Sequence, residues 1–587
     1  MAFQAPHSPP DAPSPRPVPF PHSHVPRAHP VPYVSRPGAA LPLGAALPFG
    51  IVSFQSGGGV MAGYGRATAV ALLGLSGVPI QAEAVLTAGL SRFSLIGLPD
   101  AGLSESRDRV RAAVLNSAIP WPPGALTVAL APASIRKQGS SFDLAIAIAV
   151  LRAEGRVRPP GPQETAFVAE LGLDGSVRPV RGVLPAVLAA ARAGFAAACV
   201  AEANAVEAAQ VSGIEAIGIK TLSQAVAHAN GEPLPPDPPD TSIPGPRSGA
   251  SGRFDQVASQ AAPDLADVLG QFEARLALEV SATGGHHLFL CGAPGSGKTM
   301  LAERLPGLLP PLDERAALEV TAVHSVAGTL EPDQPLVTRP PFCAVHHSAS
   351  AAALVGGGSG VLRPGAVSRA HHGVLFLDEA PEFGRVALDA LREPIESGEV
   401  VIARSCGTAT FPARFLLVAA ANPCPCGRSM SARGVCTCSP RSRTAYLGRI
   451  SGPLLDRIDL RVDVAPVGPA ELLAAAAGGR ASESTQQVAA RVAAARERAV
   501  ARLKDTPWRL NAQVPARHLR AHWPLASESL EGAEEALFAG VLTARGLDRV
   551  LRVAWTLADL AGRDRPGRTE VDTALGFRLA ALLPGTI

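Results

Sequence analysis

A glycine-rich loop between a short apolar strand and a helix is the feature that most constrains how this chain can fold. The predicted strand Leu288–Cys291 runs directly into the sequence GAPGSGKT, and a helical pattern follows. Glycines in such a loop let backbone N–H groups turn inward around phosphates, and the helix adds its positive N-terminal end. The residues predicted to bind the phosphates are Gly292, Gly295, Ser296, Gly297, Lys298 and Thr299.

Two further apolar strands end in polar residues suited to hydrolysis. Val374–Leu377 is followed by Asp378 and Glu379, and Leu416–Ala421 is followed by Asn422. Buried parallel strands deliver such residues to the crevice where ligands bind. We expect Glu379 to polarise the attacking water as a general base, with Asn422 orienting that water beside it.

The same segments predict a magnesium site. Lys298 would neutralise the β and γ phosphates, Thr299 would ligate Mg²⁺, and Asp378 would hold the ion through water. Either motif can occur without a nucleotide site. A glycine-rich turn can contain a lysine by chance, and an apolar strand that ends in Asp-Glu often only caps a helix. Here the two occur together and in the expected order.

This order of elements resembles the core of an AAA+ ATPase. The motifs Leu454–Asp459 and Thr543–Arg549 are similar to the arginine-finger and sensor-2 segments of the branch that holds Mg-chelatase and replicative helicases. The complete set is similar to the YifB/ComM-type, Mg-chelatase-like AAA+ proteins, over roughly residues 66–580. Further matching runs are Gly97–Asp100, Glu105–Arg111, Ser141–Leu144, Gly356–Phe383 and Gly448–Ile458.

The resemblance implies an α/β multidomain fold. It implies a Lon-protease-like or ribosomal-S5-like α/β domain over 66–230, and an AAA+ core over 254–475 with three αβα layers and a parallel sheet. A small C-terminal helical lid over 476–587 would complete the fold. The implied cofactors are ATP and Mg²⁺.

The resemblance also implies a site shared between subunits. Arg457 would reach the γ-phosphate bound by the neighbouring subunit, with Arg449 as an alternative finger. Arg545 would lie at the nucleotide in the lid, although Arg549 and Arg552 share its predicted helix. A finger that acts on a neighbour requires a homo-oligomer, and the family implies a hexameric ring.

Four of the eight cysteines crowd into one short segment, which argues against a disulfide scaffold. They are Cys424, Cys426, Cys436 and Cys438. Four thiolates satisfy tetrahedral Zn²⁺, and such a closed site is structural because no position is left for substrate. The Cys-x-Cys spacing is tighter than usual, so four reduced surface cysteines remain the alternative.

Two histidine pairs, His346-His347 and His371-His372, invite a second metal hypothesis. No carboxylate lies at a fixed helical spacing from either pair. The sequence therefore does not predict a metal site at these histidines.

Composition limits the classes to which the chain can belong. It has 587 residues, 47% hydrophobic and 18% charged, with a net charge of +3. Several folded units are expected, disorder throughout is excluded, and so is a globally basic nucleic-acid coat. We find no apolar run of bilayer-spanning length and no signal-peptide pattern, so we expect a soluble cytoplasmic protein with no membrane partner.

Two segments are predicted to lack a packed core. Residues 1–60 are rich in Pro, His, Ser and Gly, so we expect a disordered extension. The alternative is that translation starts at Met61 and this extension is not made. The Pro- and Gly-rich stretch 231–253 is the predicted linker between the two modules.

The N-terminal domain lacks the lysine base that a Lon-type peptidase would need. Ser140 and Ser141 lie near the serine position of Lon-type enzymes, which use a Ser-Lys dyad. The corresponding lysine region, 182–188, contains no Lys, and Lys137 is too close in sequence to be the expected partner. We predict no peptidase activity and expect this domain to bind nucleic acid or to shape the ring.

A predicted hairpin before the Asn422 strand is the candidate DNA contact. Arg404 lies near its tip and could bind backbone phosphates, although an ordinary surface arginine is the alternative. Apart from Phe411 there is no aromatic stacking platform, so binding to single-stranded or branched DNA would not depend on sequence.

Three functions remain open. The first, which the resemblance implies, is a DNA helicase or branch-migration translocase in natural transformation or recombination. The second is a metal-chelatase motor or protein remodeller, although the fused Lon-like domain is not part of the chelatase motor. The third, an ATP-dependent protease, is disfavoured by the missing lysine.

Overall fold

The computed structural model describes most of the chain. The described ranges are 63–97, 101–135, 137, 139–161, 164–237, 263–331, 334–358, 362–404, 407–429, 435–468 and 482–580. The predicted extension 1–60, the alternative start at Met61 and the linker beyond residue 237 lie outside these ranges.

The N-terminal module is built on a mixed seven-stranded sheet with the strand order β3-β4-β2-β1-β5-β8-β9. Strands β1 and β2 form a long antiparallel hairpin, while β1-β5, β5-β8 and β8-β9 are parallel. Its elements are β1 (Gly63–Leu73), β2 (Ser76–Thr87), β3 (Arg92–Ile96), α1 (Ala101–Asn116), β4 (Ala125–Ala131), α2 (Asp143–Ala153), β5 (Thr165–Val168), β6 (Glu170–Leu171), β7 (Val177–Arg178), α3 (Val183–Arg192), β8 (Ala197–Ala201), α4 (Glu202–Ala208), β9 (Glu215–Ile219) and α5 (Leu222–Asn230).

The core of this module explains its apolar sequence. Every residue of α2 is buried, because the helix packs across β1 and β2 and leaves no face to solvent. A second cluster, around α3 and β8, covers the other part of the sheet. The mixed α/β architecture is as predicted, whereas the likeness to Lon-type or S5-type domains stays a prediction.

The second module contains the predicted parallel sheet. Five parallel strands run in the order β11-β14-β17-β10-β18, and apolar clusters line the sheet on both faces. Its elements are α6 (Phe272–Gly284), β10 (Leu288–Cys291), α7 (Lys298–Leu308), α8 (Glu314–Ala327), β11 (Phe342–Val345), α9 (Ala351–Val355), β12 (Gly356–Gly357), β13 (Arg363–Pro364), α10 (Ala366–Arg369), β14 (Val374–Leu377), α11 (Arg385–Asp389), α12 (Arg392–Ser397), β15 (Glu399–Arg404), β16 (Gly407–Pro412), β17 (Leu416–Ala421), α13 (Pro440–Leu447), α14 (Gly452–Asp456) and β18 (Leu460–Asp463).

Strand order places the site. The strand leading into the glycine-rich loop, β10, lies in the interior of the sheet between β17 and β18. Strand β14 pairs with β17 on its other side, so three strands that end in polar residues are neighbours. All are buried along their full length, which explains their unbroken apolar sequences.

The C-terminal region is helical, as predicted. Its helices are α15 (Thr485–Arg502), α16 (Ala516–His522), α17 (Ser527–Phe538), α18 (Ala544–Ala561) and α19 (Arg568–Leu579), and short 3-10 turns lie at Leu265–Asp267, Ala380–Glu382 and Asn511–Gln513. Residues of α15, α18 and α19 share one apolar cluster with the parallel sheet. The helical region therefore packs directly on the core.

Candidate functional site

The glycine-rich loop connects β10 to α7 in a conformation that requires glycine. Gly295 and Gly297 have φ of +77° and +94°, in the left-handed region that residues with a Cβ rarely adopt. Gly292 has another reason, since a Cβ there would lie 2.4 Å from the carbonyl oxygen of Val464. The loop therefore needs glycine for backbone shape at two positions and for close packing at the third.

Lys298 is folded back onto the loop. Its side chain is buried, and its Nζ donates to the carbonyl oxygens of Gly292 (2.8 Å) and Ala293 (3.1 Å). It also donates to Asn422 Oδ1 at 3.2 Å. Burial lowers the pKa of Lys298, and the nearby Asp378 carboxylate opposes that shift. The structure thus joins the predicted phosphate-binding lysine to the predicted sensor amide.

The two predicted magnesium ligands are in contact. Thr299 Oγ1 donates to Asp378 Oδ2 at 3.0 Å, although the residues come from different segments. A hydroxyl and a carboxylate are the hard oxygen ligands that Mg²⁺ prefers, with water and phosphate oxygens completing its octahedron. The residues present therefore fit a nucleotide-bound magnesium ion.

Glu379 adopts an unusual backbone conformation at the end of β14. Its φ is +51°, and its N–H donates to Asp378 Oδ1 at 2.9 Å. The side chain is about half exposed, and its Oε2 lies 3.5 Å from Nδ1 of His347. Sequence analysis considered His347 only as a metal ligand and did not connect it with Glu379. The signal for this contact was its place just after β11, a strand of the same parallel sheet.

Asn422 contacts the phosphate-binding lysine. Its Oδ1 accepts from Lys298 Nζ at 3.2 Å, and its place beside the attacking water stays a prediction. Tyr446, which sequence reasoning did not single out, lies near Asn422. Burial, with Glu382 and Glu379 nearby, raises the pKa of Tyr446 to about 12, so this hydroxyl is neutral at physiological pH.

A second missed residue, Gln271, lies beside the loop. It has φ +50°, and its Nε2 donates to the carbonyl oxygens of Ser296 (2.5 Å) and Ala465 (3.3 Å). Gln271 Oε1 and Ser296 Oγ are buried and have no hydrogen-bond partner within the described part of the chain. Buried polar atoms of this kind are costly unless a ligand or water satisfies them, which supports a polar ligand at this loop.

The predicted finger lies at the end of α14. Arg457 NH1 donates to the carbonyl oxygen of Pro453 at 2.7 Å, and NH2 pairs with Glu396 of α12. The alternative finger, Arg449, pairs with Glu382 at 2.8 Å. Arg457 also lines a surface cavity of about 460 Å³ together with Arg392 and other α12 residues.

The structure brings Arg545 to the finger. Its NH1 lies 3.9 Å from Oδ2 of Asp456, the residue before Arg457, and its side chain is 85% exposed. Arg549 instead pairs with the buried Asp459, and Arg552 Nε donates to the Val514 carbonyl oxygen at 2.7 Å. Of the three arginines considered on this helix, Arg545 is therefore the most exposed and the one that could contact a ligand.

Comparisons with known proteins show the family of this chain. Family models match residues 82–204 (subunit ChlI of Mg-chelatase), 264–472 (magnesium chelatase, subunit ChlI) and 482–578 (its C-terminal part). An uncharacterized protein of Mycobacterium tuberculosis is 52% identical over 88% of this chain and 98% of its own length.

Two relatives carry family names. The uncharacterized protein YifB of Escherichia coli is 39% identical over 86% of this chain and 96% of its own length. The competence protein ComM of Haemophilus influenzae is 38% identical over 88% of this chain and 96% of its own length. The chain belongs to the YifB/ComM family.

The four cysteines that are close in the sequence of this YifB/ComM-type chain are also close in the structure. Their ligand atoms all lie within 4.8 Å of one another. Cys424 Sγ lies 3.4 Å from Cys426 Sγ and 3.7 Å from Cys436 Sγ, and the last two are 3.7 Å apart. Four thiolates about 2.3 Å from one Zn²⁺ would be about 3.8 Å apart, so the spacing fits a tetrahedral ion. Hydrogen bonds from the Arg428 backbone and from Cys424 lower the pKa of Cys426 to about 6.

The second histidine pair acquires a carboxylate that the sequence could not show. Glu319 Oε2, from α8, lies 3.3 Å from His371 Nε2 and 3.6 Å from His372 Nε2. However, His371 Nδ1 accepts the N–H of Arg414 at 3.0 Å, so a neutral His371 carries its proton on Nε2. The nitrogen facing Glu319 is therefore a donor, and hydrogen bonding explains the cluster better than a metal.

The predicted hairpin forms from β15 and β16, and its turn at 405–406 lies outside the described residues. One face of the hairpin is buried, and Arg404 is exposed next to the turn.

In the N-terminal module, Ser140 donates to Glu170, and the buried Lys137 donates to the Pro132 carbonyl oxygen. Within the described ranges, no helix combines the length and apolar character needed to cross a bilayer.

Proposed function

We propose that this chain is an ATP-hydrolysing motor that works as a ring and moves along DNA. The observation that carries the proposal is the convergence of three strand ends on one loop. Lys298 contacts Asn422, and Thr299 contacts Asp378, although both partners are remote in sequence.

Each residue has a step in hydrolysis. Lys298 would leave the loop carbonyl oxygens for the β and γ phosphates, which supply a full negative charge in their place. Thr299 and Asp378 would hold Mg²⁺, which neutralises charge on the phosphates when bound. Glu379 would take a proton from the attacking water, and Asn422 would orient that water.

The finger residues would complete the site of a neighbouring subunit. Arg457 and Arg545 lie on either side of Asp456 and share no described contact with the loop 292–297 of their own chain. Their charges would stabilise the γ-phosphate of the neighbour as it leaves. Arg545 lies beside Asp456, the residue before Arg457. We therefore infer that Arg545 acts with Arg457 at the neighbour's nucleotide rather than at the nucleotide of its own chain.

DNA is the substrate that the surface favours. Arg404 is exposed beside the hairpin turn, where a ring of such residues would line a pore. The N-terminal module adds a cavity of about 680 Å³ lined by Arg92, Arg107 and Arg111, with Asp108 as its one acid. Phe93 also lines this cavity, and its three arginines favour phosphate contacts, which do not depend on base sequence. The relative named competence protein ComM supports the proposal by its name alone.

A chelatase-type motor is the second candidate. All three matching family models are named after a magnesium-chelatase subunit. The ATP site would serve either machine, so the choice depends on what stimulates hydrolysis. A protein remodeller would share the same engine.

The four cysteines would hold a structural Zn²⁺. Their spacing suits tetrahedral thiolate coordination. Removing the Zn²⁺ with a chelator would then destabilise the folded 424–438 loop but would not remove a catalytic group.

The deciding experiment measures ATP hydrolysis with no DNA, single-stranded DNA, duplex and a four-way junction, at two salt concentrations. We expect stimulation that falls with salt, because phosphate contacts release counterions. Arg404→Ala should reduce the stimulation and leave the DNA-free rate unchanged, with the exposed Arg385→Ala as control. Hydrolysis that no DNA stimulates would overturn the DNA substrate and favour the chelatase-type motor.

A further inference from the structure

The cysteine cluster is built against the ATP site. Gly427, directly after Cys426, lies so close to the phosphate loop that an added Cβ would be 2.6 Å from the ring of Pro294. Gly427 also has φ +73°, and its N–H donates to the Cys424 carbonyl oxygen at 2.9 Å. The cysteine turn and the phosphate loop are therefore in direct van der Waals contact.

The first end of the cluster is joined to the sensor amide. Asn422 lies two residues before Cys424, and the intervening Pro423 limits backbone freedom. Asn422 in turn holds Lys298 at 3.2 Å. A shift of Cys424 would therefore move the amide that contacts the phosphate-binding lysine.

The second end of the cluster returns to the same amide. Cys438 is followed by α13, whose start is capped by Ser439 and tied back by Arg443 Nε, which donates to the Cys438 carbonyl oxygen at 3.3 Å. Helix α13 carries Tyr446, which lies near Asn422. The cysteine segment 424–438 therefore has Asn422 just before its first end and a helix that returns to Asn422 after its second end.

We infer that metal occupancy of the four cysteines regulates the ATP site by fixing Asn422 and Pro294. This inference rests on the proposed ATPase function. A bound Zn²⁺ ties all four thiolates to one point and closes the loop from both ends. Without a metal, the four thiols contact one another only weakly and hold the cysteines together against a smaller share of the chain entropy. Asn422 and the phosphate loop would then lose the contacts that hold them in position relative to each other.

The test uses the full chain purified without chelator. We expect about one Zn²⁺ per chain in the wild type and loss of the metal in the double variant Cys436→Ser, Cys438→Ser. Loss of the positioning contact should lower kcat by about tenfold or more and raise the dissociation constant of a fluorescent ATP analogue by about fivefold. Cys199→Ala, which removes a buried thiol from the N-terminal module, should retain zinc and full turnover.

A reciprocal measurement works without turnover. If zinc stabilises the ATP-competent arrangement, bound nucleotide must raise the affinity for zinc by the same factor. We expect Mg-ATP to raise the zinc affinity of the non-hydrolysing Glu379→Gln variant, measured by competition with a chromophoric chelator. Re-adding zinc to chelator-treated wild type should restore kcat, which separates regulation from misfolding.

Three results would overturn the inference: a wild type without zinc, an unchanged kcat in the zinc-free variant, or a zinc affinity that nucleotide does not alter. A different result would overturn the ATPase proposal itself. In that case the zinc-loaded wild type, with its metal content verified, would fail to bind ATP at all.

Discussion

Glu379 is the second residue after the end of β14 and takes a left-handed backbone conformation, with φ +51°. Such a conformation costs roughly 1–3 kcal/mol and persists where surrounding contacts over-determine it. Here the Asp378 carboxylate binds the Glu379 N–H, and His347 lies 3.5 Å from the Glu379 carboxylate. The turn lifts this carboxylate off the line of the strand, which is what a base that must reach water requires.

Replacing this base tests its role at the residue scale. Glu379→Gln should lower kcat by about 100-fold or more, because an amide cannot accept the proton of the attacking water. Binding of a fluorescent ATP analogue should stay within about threefold of wild type, since the phosphate contacts are untouched. The control is Glu303→Gln, an exposed acid on α7. Turnover at the wild-type rate would rule out Glu379 as the base.

At the scale of elements, buried ionic contacts join helices that the sequence leaves separate. Arg109 of α1 makes a bidentate contact with Asp143 of α2, at 2.7 and 3.2 Å. Asp143 is fully buried and also accepts the N–H of Leu171 at 3.4 Å. Burial raises the pKa of Asp143, and the Arg109 contact opposes that shift. One carboxylate therefore joins α1, α2 and β6.

Breaking this contact should destabilise the N-terminal module. Asp143→Ala leaves a largely buried guanidinium without its partner, so we expect a loss of roughly 3 kcal/mol in unfolding free energy. Glu105→Ala is a matched control, because Glu105 pairs with the same arginine from an exposed position. Its effect should be under about 0.5 kcal/mol. Urea unfolding followed by Trp121 fluorescence measures both, and equal losses would show that burial is not the cause.

A buried histidine gives the parallel-sheet module an acid sensitivity. Burial lowers the pKa of His371 from its ordinary 6.5 to about 4, so the folded chain resists its protonation. Unfolded His371 binds a proton below about pH 6.5, and the unfolded state therefore binds more protons between the two pKa values. Stability is complete above this window and is lost as pH falls through it.

His371→Gln should weaken that pH dependence. The difference in unfolding free energy between pH 7 and pH 5 should shrink by on the order of 1 kcal/mol, because one buried titrating group is removed. His346→Gln, at an exposed histidine, is the control and should leave the difference unchanged. Chemical denaturation at the two pH values decides. An undiminished difference in His371→Gln would assign the acid sensitivity to another group.

At the scale of the whole molecule, the proposed function divides each ATP site between two chains. Lys298 and Asp378 lie at the strand ends, whereas Arg457 binds Glu396 of α12 and lies beside Asp456 and Arg545. A closed ring of identical chains would bring the second half of one subunit to the first half of the next.

Mixing inactive variants tests this arrangement. Lys298→Ala cannot bind the phosphates, and Arg457→Ala cannot stabilise the neighbour's γ-phosphate, so each alone should be inactive. In mixed rings, an Arg457→Ala subunit still binds ATP and receives a finger from a Lys298→Ala neighbour. We expect an equimolar mixture to recover roughly a quarter of the wild-type rate, on random assembly of independent sites. No recovery in rings shown to be mixed would mean that Arg457 acts within its own chain.

The sequence by itself determined the elements whose signal is local. The order of apolar strand, glycine-rich loop and helix predicted β10 and α7, and unbroken apolar runs ending in polar residues predicted β14 and β17. A buried parallel strand must be apolar on both faces, so these segments reveal themselves without their neighbours. The helical C-terminal region and the closeness of the four cysteines followed from periodicity and spacing in the same way.

Only the tertiary structure decided which remote side chains meet. Gln271, His347 and Tyr446 reach the site from segments with no motif, and Glu319 reaches His371 from another helix. The tertiary structure also brings Asn422 into contact with Lys298 and packs the cysteine turn against Pro294. Such contacts depend on how whole elements pack, and a single sequence carries no spacing rule for pairs that only packing brings together.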